Sequence, residues 1–458
     1  MTARKTYNHS PPRKKSADKK GRKLNRLWIG LGLTSLAMLS TTAGALLAIT
    51  LSATPLRQTQ LTLEEQEVFR QKDAVSRENL QPPELTRPVN ILVLGTKVLT
   101  SDVEQSPQAD QGYYSLVNSL EGVSDTMLLL RLEPDTEELT LLSIPRDTRV
   151  RVEGHGVMKI NAANQEGGIT LAAKAVSNLL GGVTIDRYAR VNVQGVEKLI
   201  DALGGVTVYV PKDMKYSDDS QHLYIDLEKG QQHLNGDKAI EFMRFRHDHY
   251  GDIGRVQRQQ MLMRAAMKQA LKPSVLVRIP RIFSVVKSNL DTNLSVEELV
   301  ALTRFATKTE QSDVQMLMLP GQFSGNGQKY KGSYWLPNDR RIDQMMAKYF
   351  QQGERSEQEK EINPATVRVA IQDSTGEPEA VQELRQSLRE AGYGNVYVAR
   401  DHQKTLQETR IVAQKGDNRS AKAIREALGM GEVRVESTGA LRSDVTIQLG
   451  EDWLRRQD

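Results

Sequence analysis

The chain has 458 residues, of which 26% are charged and 38% hydrophobic, with seven Phe, no Cys and a formal net charge of +5. That length exceeds one typical domain and predicts two or three, and the absence of Cys excludes a disulfide scaffold or a thiolate metal site. The positive charge is unevenly placed: residues 1–26 carry ten Lys/Arg and one Asp, a net of +9, which leaves the remainder at −4 and excludes a basic nucleic-acid binder as the folded part.

From Leu27 through Leu56 no residue is charged. A membrane span needs about 20 apolar residues, and a cleaved signal peptide, the rival reading, has an apolar core of only about 7–15. Residues 27–53 are therefore expected to form one transmembrane helix behind a basic cytoplasmic tail, residues 1–26. The basic flank orients the N-terminus inward, so the rest of the chain is expected outside the cytoplasm, anchored to the plasma (inner) membrane by a single pass.

Residues 54–87 are polar and read as a stalk, with a short helix expected in LTLEEQEVFRQKDAVSREN and an end near Pro82-Pro83. VNILVLG at residues 89–95 reads as a buried strand, and residues 97–122 as an insertion loop. TMLLLRL (126–132) and LTLLSI (139–144) read as neighbouring strands joined by the turn EPDTEE. GITLAAKAVSNLLGG reads as an amphipathic helix stopped by Gly, and residues 187–210 as strand, helix, strand. DKAIEFMRFR reads as helical, and residues 271–308 add further helices rich in apolar surface. Interleaved strands and helices predict an α/β domain, residues 88–350, with a central mixed sheet flanked by helices. GERSEQEKEIN marks a linker, residues 351–363. Residues 364–458 then read as a small C-terminal α/β domain of βαββαβ type, with a D-x-T-G turn at residues 373–376 and a closing TIQLG-x-D.

The densest chemistry lies at residues 244–260, RFRHDHYGDIGRVQRQQ, with four Arg and two Asp. Arg cannot be deprotonated and its fork matches phosphate oxygens bidentately. Interspersed carboxylates point either to ion pairs on a solvated helix or to a Mg²⁺ site beside a phosphate. On a helix starting near Asp252, residues Asp252, Arg255 and Gln259 share one face, with Arg258 off it. If the preceding stretch is extended, Arg244 and Arg246 face one side and Phe245 packs inward.

Two more clusters match: SDTMLLLRL from Ser124, and LLSIPRDTRV from Leu141, followed by KINAAN at Lys159. In this order and spacing, together with R-x-R…D-x-G-R-x-x-R-Q, they resemble the LytR-CpsA-Psr (LCP) family of cell-wall ligases, from about residue 88 to about residue 350. The C-terminal unit resembles the LytR-type domain that follows the catalytic domain in many members. The resemblance implies a Mg²⁺-assisted phosphotransferase, with Mn²⁺ able to substitute. It would move a glycan from a polyprenyl pyrophosphate carrier onto peptidoglycan, outside the membrane. It also implies a long apolar tunnel for the polyprenyl chain, although the same apolar residues serve equally as ordinary core. Two other uses of the site remain open: hydrolysis of the carrier without transfer, and a non-catalytic wall-binding or regulatory role.

Pyrophosphate cleavage needs cations around two phosphates, a metal held by one or two carboxylates, and a base for the acceptor hydroxyl. Arg146, Arg244, Arg246, Arg255 and Arg258 are candidates for the first, with Gln259 as a hydrogen bonder. Asp125 is the metal ligand by resemblance and otherwise a turn cap. Asp147 orients Arg146 or supports the metal, or is simply its salt-bridge partner. Asp252 is the candidate base or second metal contact. The family often has an acid directly after the first strand; here Lys97 stands there, and Asp102 is the nearest later acid. His247 and His249 form an H-x-H pair without a third ligand, so zinc is not expected. No GxxxxGK[ST] or G-x-S-x-G element is present, so the bond energy must come from the activated donor.

Overall fold

A computed structural model describes residues 56–456, apart from residues 57, 70–73, 77–82, 98–119, 121, 219–222, 246–250, 271, 311–312, 325–332, 353–361, 400–401, 403–404, 415 and 441. The expected basic tail, membrane span and most of the insertion loop and linker lie outside the described residues, as do Asp102, Arg246, His247 and His249. Among the described residues no helix is long and apolar enough to cross a membrane.

The larger domain is built on a six-stranded sheet. Its strands are β1 (Val89–Lys97), β2 (Val123–Glu133), β3 (Glu138–Ile144), β4 (Arg187–Asn192), β7 (Leu290–Thr292) and β8 (Val314–Met318), in the order β7-β4-β1-β2-β3-β8. The β1–β2, β2–β3 and β7–β4 pairs are antiparallel, and β1–β4 and β8–β3 are parallel, so the sheet is mixed as expected. Alternation sorts its side chains. Leu92, Leu94, Met127, Leu129, Leu142 and Ile144 share a core with Ile169, Ala172 and Val176 of α1 (Ala163–Leu179). Helix α1 breaks at Gly167–Gly168, where Gly168 takes φ 64°, and its end is closed by Gly182 N–H donating to the Ser177 carbonyl at 2.8 Å.

Helices α2 (Val193–Leu203) and α4 (Gly251–Ala270) belong to the other side, with α3 (Gly236–Arg244) between them in sequence. The second strand read after residue 187, β5 (Val206–Val210), is not in the central sheet; it pairs antiparallel with β6 (Gly230–Leu234). Those strands, α3 and part of α4 enclose a second core around Phe242 and Phe245. Two helices follow, α5 (Ile279–Asn289) and α6 (Val296–Lys308), and α7 (Asp339–Tyr349) closes the domain.

The stalk reading of residues 54–87 is corrected by the structure. Among the described residues there, the helix is one turn, Leu63–Gln66. Phe69 is 3% exposed, its ring 5.1 Å from that of Tyr188, and Ala74 is also buried. Thr59 donates from N and Oγ1 to the two oxygens of buried Asp291, at 2.7 and 2.9 Å. The segment's few apolar side chains find partners on the domain, which a purely polar tether would not.

The C-terminal domain holds β9 (Val369–Asp373), α8 (Pro378–Glu390), β10 (Val396–Val398), β11 (Arg410–Ala413), α9 (Asn418–Leu428), β12 (Glu432–Arg434) and β13 (Val445–Leu449). Its sheet order is β10-β9-β13-β11-β12. The D-x-T-G turn is held by Asp373, which accepts from Thr375 N at 2.8 Å and Gly376 N at 3.1 Å. Asp452 of the closing motif accepts from Thr409 N and Oγ1. One apolar core runs without a break from Leu317 and Phe350 of the larger domain to Val369 and Val435 of the smaller.

Candidate active site

Asp125 owes its direction to a β-bulge. Gly95 pairs with Thr126 and Thr96 with Ser124, so Asp125 is the extra residue on β2 and has no Cα partner on β1. Bulges re-aim a side chain and are common beside active sites. Gly95 lets the strands approach closely beside it: a Cβ there would sit 3.1 Å from Thr126 Cβ, tighter than an ordinary contact. The Asp125 carboxylate accepts from Arg146 Nη1 at 2.7 Å, with both side chains about one-fifth exposed.

Arg146 and Asp147 lie in the loop just past β3. The loop is fixed from three sides: Thr148 N–H donates to the Pro145 carbonyl at 3.0 Å, Asn161 N–H to the Arg146 carbonyl at 3.2 Å, and Trp335 N–H to the Asp147 carbonyl at 2.9 Å. Asp147 is 7% exposed and is bridged by Lys159 at 2.7 Å and by Arg146 Nε at 3.7 Å. The Arg146–Asp147 ion pair read as the plain alternative is therefore present, and Arg146 also reaches Asp125. Lys159, which opens KINAAN, joins the site as the third charge, beside Arg146 and Asp147. Asn164 of the same motif donates to the Leu120 and Gly122 carbonyls and positions the start of β2.

Arg244 does not sit in an extended segment. It is the last residue of α3, because Phe245 leaves the helix with ψ 131° and buries its ring, as expected for Phe245. Asp252 lies in the first turn of α4, three residues before Arg255 and seven before Gln259, on the same face by helical spacing. Its side chain, like that of Lys97, lies outside the described residues. Gln259 donates to Thr126 Oγ1 at 2.8 Å, a partner not anticipated from the sequence. Arg258 takes another course: its Nη2 donates to the Phe245 carbonyl and its guanidinium stands 5.7 Å from that ring. It secures the α3–α4 corner and is not among the residues lining the main cavity.

That cavity, about 510 Å³, lies between the sheet and helices α2 and α4. Its mouth carries Asp125, Thr126, Arg244, Arg255 and Gln259, and its walls are apolar: Leu128, Leu130 and Leu141 from the sheet, Leu199 and Ile200 from α2, Leu262 and Met263 from α4. Arg255 also lines a narrow crevice with Arg146, Asp147 and Trp335, so it stands between loop and cavity. Arg146 pairs with Asp125 and Asp147, Lys159 pairs with Asp147, and Arg244 and Arg255 line the cavity together with Asp125, so four cations gather with two carboxylates among the described residues. An excess of fixed positive charge beside an apolar slot fits an amphiphile with an anionic head and a hydrocarbon tail.

No group of three or more His, Cys, Asp or Glu that would hold a metal occurs among the described residues. Mg²⁺ does not need one, since it is commonly held by one or two carboxylates together with substrate phosphates and water. Asp125, aimed by its bulge into the cavity mouth, suits that arrangement.

Residues 54–351 match the family described as the LytR_cpsA_psr family. Residues 366–453 match the LytR cell envelope-related transcriptional attenuator. Over 265 residues the chain is 31% identical to the polyisoprenyl-teichoic acid–peptidoglycan teichoic acid transferase TagU of Oceanobacillus iheyensis, spanning 56% of this chain and 73% of that one. It is 33% identical over 207 residues to the corresponding TagV of Bacillus subtilis, spanning 44% of this chain and 52% of that one. Among solved structures, protein gbs0355 from Streptococcus agalactiae superposes with a TM-score of 0.50 at 25% identity, covering 59% of this chain and 90% of that one.

Proposed function

The chain belongs to the LytR-CpsA-Psr family, and from that premise we propose that it is a membrane-anchored phosphotransferase. Its donor is a glycan on a polyprenyl pyrophosphate and its acceptor is a hydroxyl of peptidoglycan. The observation that carries this reading is the cavity. Protein interiors are close-packed, so an apolar space of this size kept open between sheet and helices is a place for a ligand. Its apolar walls and cationic mouth are accounted for by a hydrocarbon chain ending in a pyrophosphate. The relatives' names, which couple a polyisoprenyl carrier to peptidoglycan, support the same pairing.

In this reaction the acceptor oxygen forms a bond to the glycan-linked phosphorus. The bond from that phosphorus to the bridging oxygen breaks, and polyprenyl phosphate leaves with the electron pair. Arg146, Arg244 and Arg255 stabilise the charge that grows on the leaving phosphate. Arg246 and Gln259 are proposed to assist at the same head group, and Asp252 takes the proton from the attacking hydroxyl. Asp147, clamped by Lys159, holds Arg146 in place. Mg²⁺, with Mn²⁺ as a substitute, would be held by Asp125, aided by Asp252, and would supply charge neutralisation between the phosphates.

The test is transfer itself. Purified protein given a polyprenyl pyrophosphate glycan and peptidoglycan fragments with Mg²⁺ should yield a covalent glycan–peptidoglycan product, and chelator should abolish it. Free glycan phosphate as the sole product, whatever acceptor is offered, would replace the transferase reading with a hydrolase. Full activity in chelator would remove the metal from Asp125.

A further inference from the structure

Helix α4 has two working faces. Arg255, Gln259, Leu262 and Ala266 turn to the cavity. At about 100° per residue, Gln257, Gln260 and Arg264 fall on the opposite side, and all three are held by the C-terminal domain. Gln257 Nε2 donates to the carbonyls of Ser437 and Gly439 at 2.9 and 3.2 Å. Ser437 N–H donates to Gln260 Oε1 at 3.2 Å. Arg264 Nη2 meets Glu436 at 2.7 Å.

The contact is buried and specific. Gln260 and Ser437 are each 1% exposed and Glu436 4%. Gln260 also donates toward Ser143 Oγ and the Leu317 carbonyl, at 3.4 and 3.3 Å, so the same side chain ties α4 to β3 and β8. Beside it, Met316 N–H donates to the Val435 carbonyl at 2.8 Å, which closes the open edge of the central sheet. Ser143 stands three residues before Arg146 on the chain that carries the loop. The segment at 435–439 therefore grips α4, which presents Arg255, and through Gln260 reaches β3, which leads to Arg146.

We propose that the C-terminal domain is a positioning element for the transfer reaction: its 435–439 segment clamps α4 from behind and thereby sets where Arg255 and Gln259 stand against the phosphates. This rests on the transferase reading above. A misplacement of about 1 Å can cost about a hundredfold in rate, so a clamp on the back of one helix is enough to govern turnover without touching substrate.

The experiment uses the full chain, after wild type has been shown to give the transfer product; failure at that step belongs to the functional reading and not to the clamp. Gln257→Ala/Glu436→Gln strips two of the cross-domain contacts and leaves the cavity face intact. Amide exchange across residues 257–264 should accelerate. Turnover per folded molecule should fall about tenfold, with KM for the donor changing less than kcat. Adding Arg255→Lys to that variant should cost less than it costs in wild type, because residues that act through one another are non-additive. Exchanging the pair, Arg264→Glu/Glu436→Arg, should recover turnover relative to Glu436→Arg alone. Unchanged turnover per folded molecule, whether or not exchange accelerates, overturns the proposal. So does strict additivity with Arg255→Lys, which is the mark of a domain that contributes stability alone.

Discussion

Arg255 and Arg258 are three residues apart on α4, are 4% and 5% exposed, and are set to different tasks by what surrounds them. Arg255 lines both the cavity and the crevice at Arg146, where the proposed function places the pyrophosphate. Arg258 is tied to the Phe245 carbonyl, where its charge is spent on closing a corner of the fold. Arg146→Ala, Arg244→Ala and Arg255→Ala should each lose about 2–4 kcal/mol of transition-state stabilisation, roughly 30- to 1000-fold in kcat/KM. Lys at these positions should recover only part of it, since a point charge lacks the fork. Arg258→Ala should instead lower Tm, by the loss of about 1.5–3 kcal/mol for a charged hydrogen bond, while folded molecules keep most of their turnover. Steady-state kinetics beside thermal melts separates the two; a catalytic loss at Arg258 equal to that at Arg255, with Tm unmoved, would return Arg258 to the phosphate site. The sequence placed both residues in one candidate set because they share the arginine-rich motif; helical spacing set Arg258 off the Arg255 face but could not name its partner. The bulge at Asp125 was equally hidden, because a two-against-one mismatch depends on β1 as much as on β2.

The elements were more legible than the space between them. The strands at β1, β2 and β3 announced themselves as short apolar runs bounded by turn residues, and α2 by its periodicity with Gly204 in the left-handed region at its end. What the pattern could not distinguish is core from tunnel: Leu128, Leu130 and Leu141 have core spacing, yet the space across from them is open. Pairing partners were also out of reach: residues 187–210 read as strand, helix, strand, and nothing in them says that β5 pairs with β6 and leaves the central sheet. Filling the space tests its use. Ala266 lies on the α4 wall of the cavity, and Ala266→Trp should occupy part of it. Affinity for a long-chain polyprenyl donor should weaken at least about tenfold, and a donor with a short prenyl chain should be affected less. Tm should hold or rise, because the new ring buries apolar surface. Equal effects on long and short donors would mean that the hydrocarbon lies elsewhere.

At the scale of the whole molecule, the reaction and its surroundings have to agree. The chain carries no nucleotide-binding loop, and a polyprenyl pyrophosphate brings its own bond energy, so the chemistry suits a compartment without ATP. A polyprenyl donor is itself confined to a bilayer, and an enzyme that works on it gains from being held at the same surface, where the effective concentration of donor is high. The proposed anchor is the segment with a net charge of +9 followed by 30 uncharged residues, a stretch long enough to cross the hydrocarbon core, whose basic flank would keep the N-terminus in the cytoplasm. The two folded domains would then face the wall, where the acceptor is. A reporter fused after Asp458 that is active only outside the cytoplasm should give signal in cells, and its cytoplasmic counterpart should be silent. Neutralising the flank by replacing the Lys and Arg of residues 13–26 with Gln should reduce that signal, because the basic residues and not the apolar stretch set the orientation. A cytoplasmic signal from the unaltered chain would separate the domains from both donor and acceptor. It would leave the cationic site to soluble anions, and the transferase reading would fall with the topology.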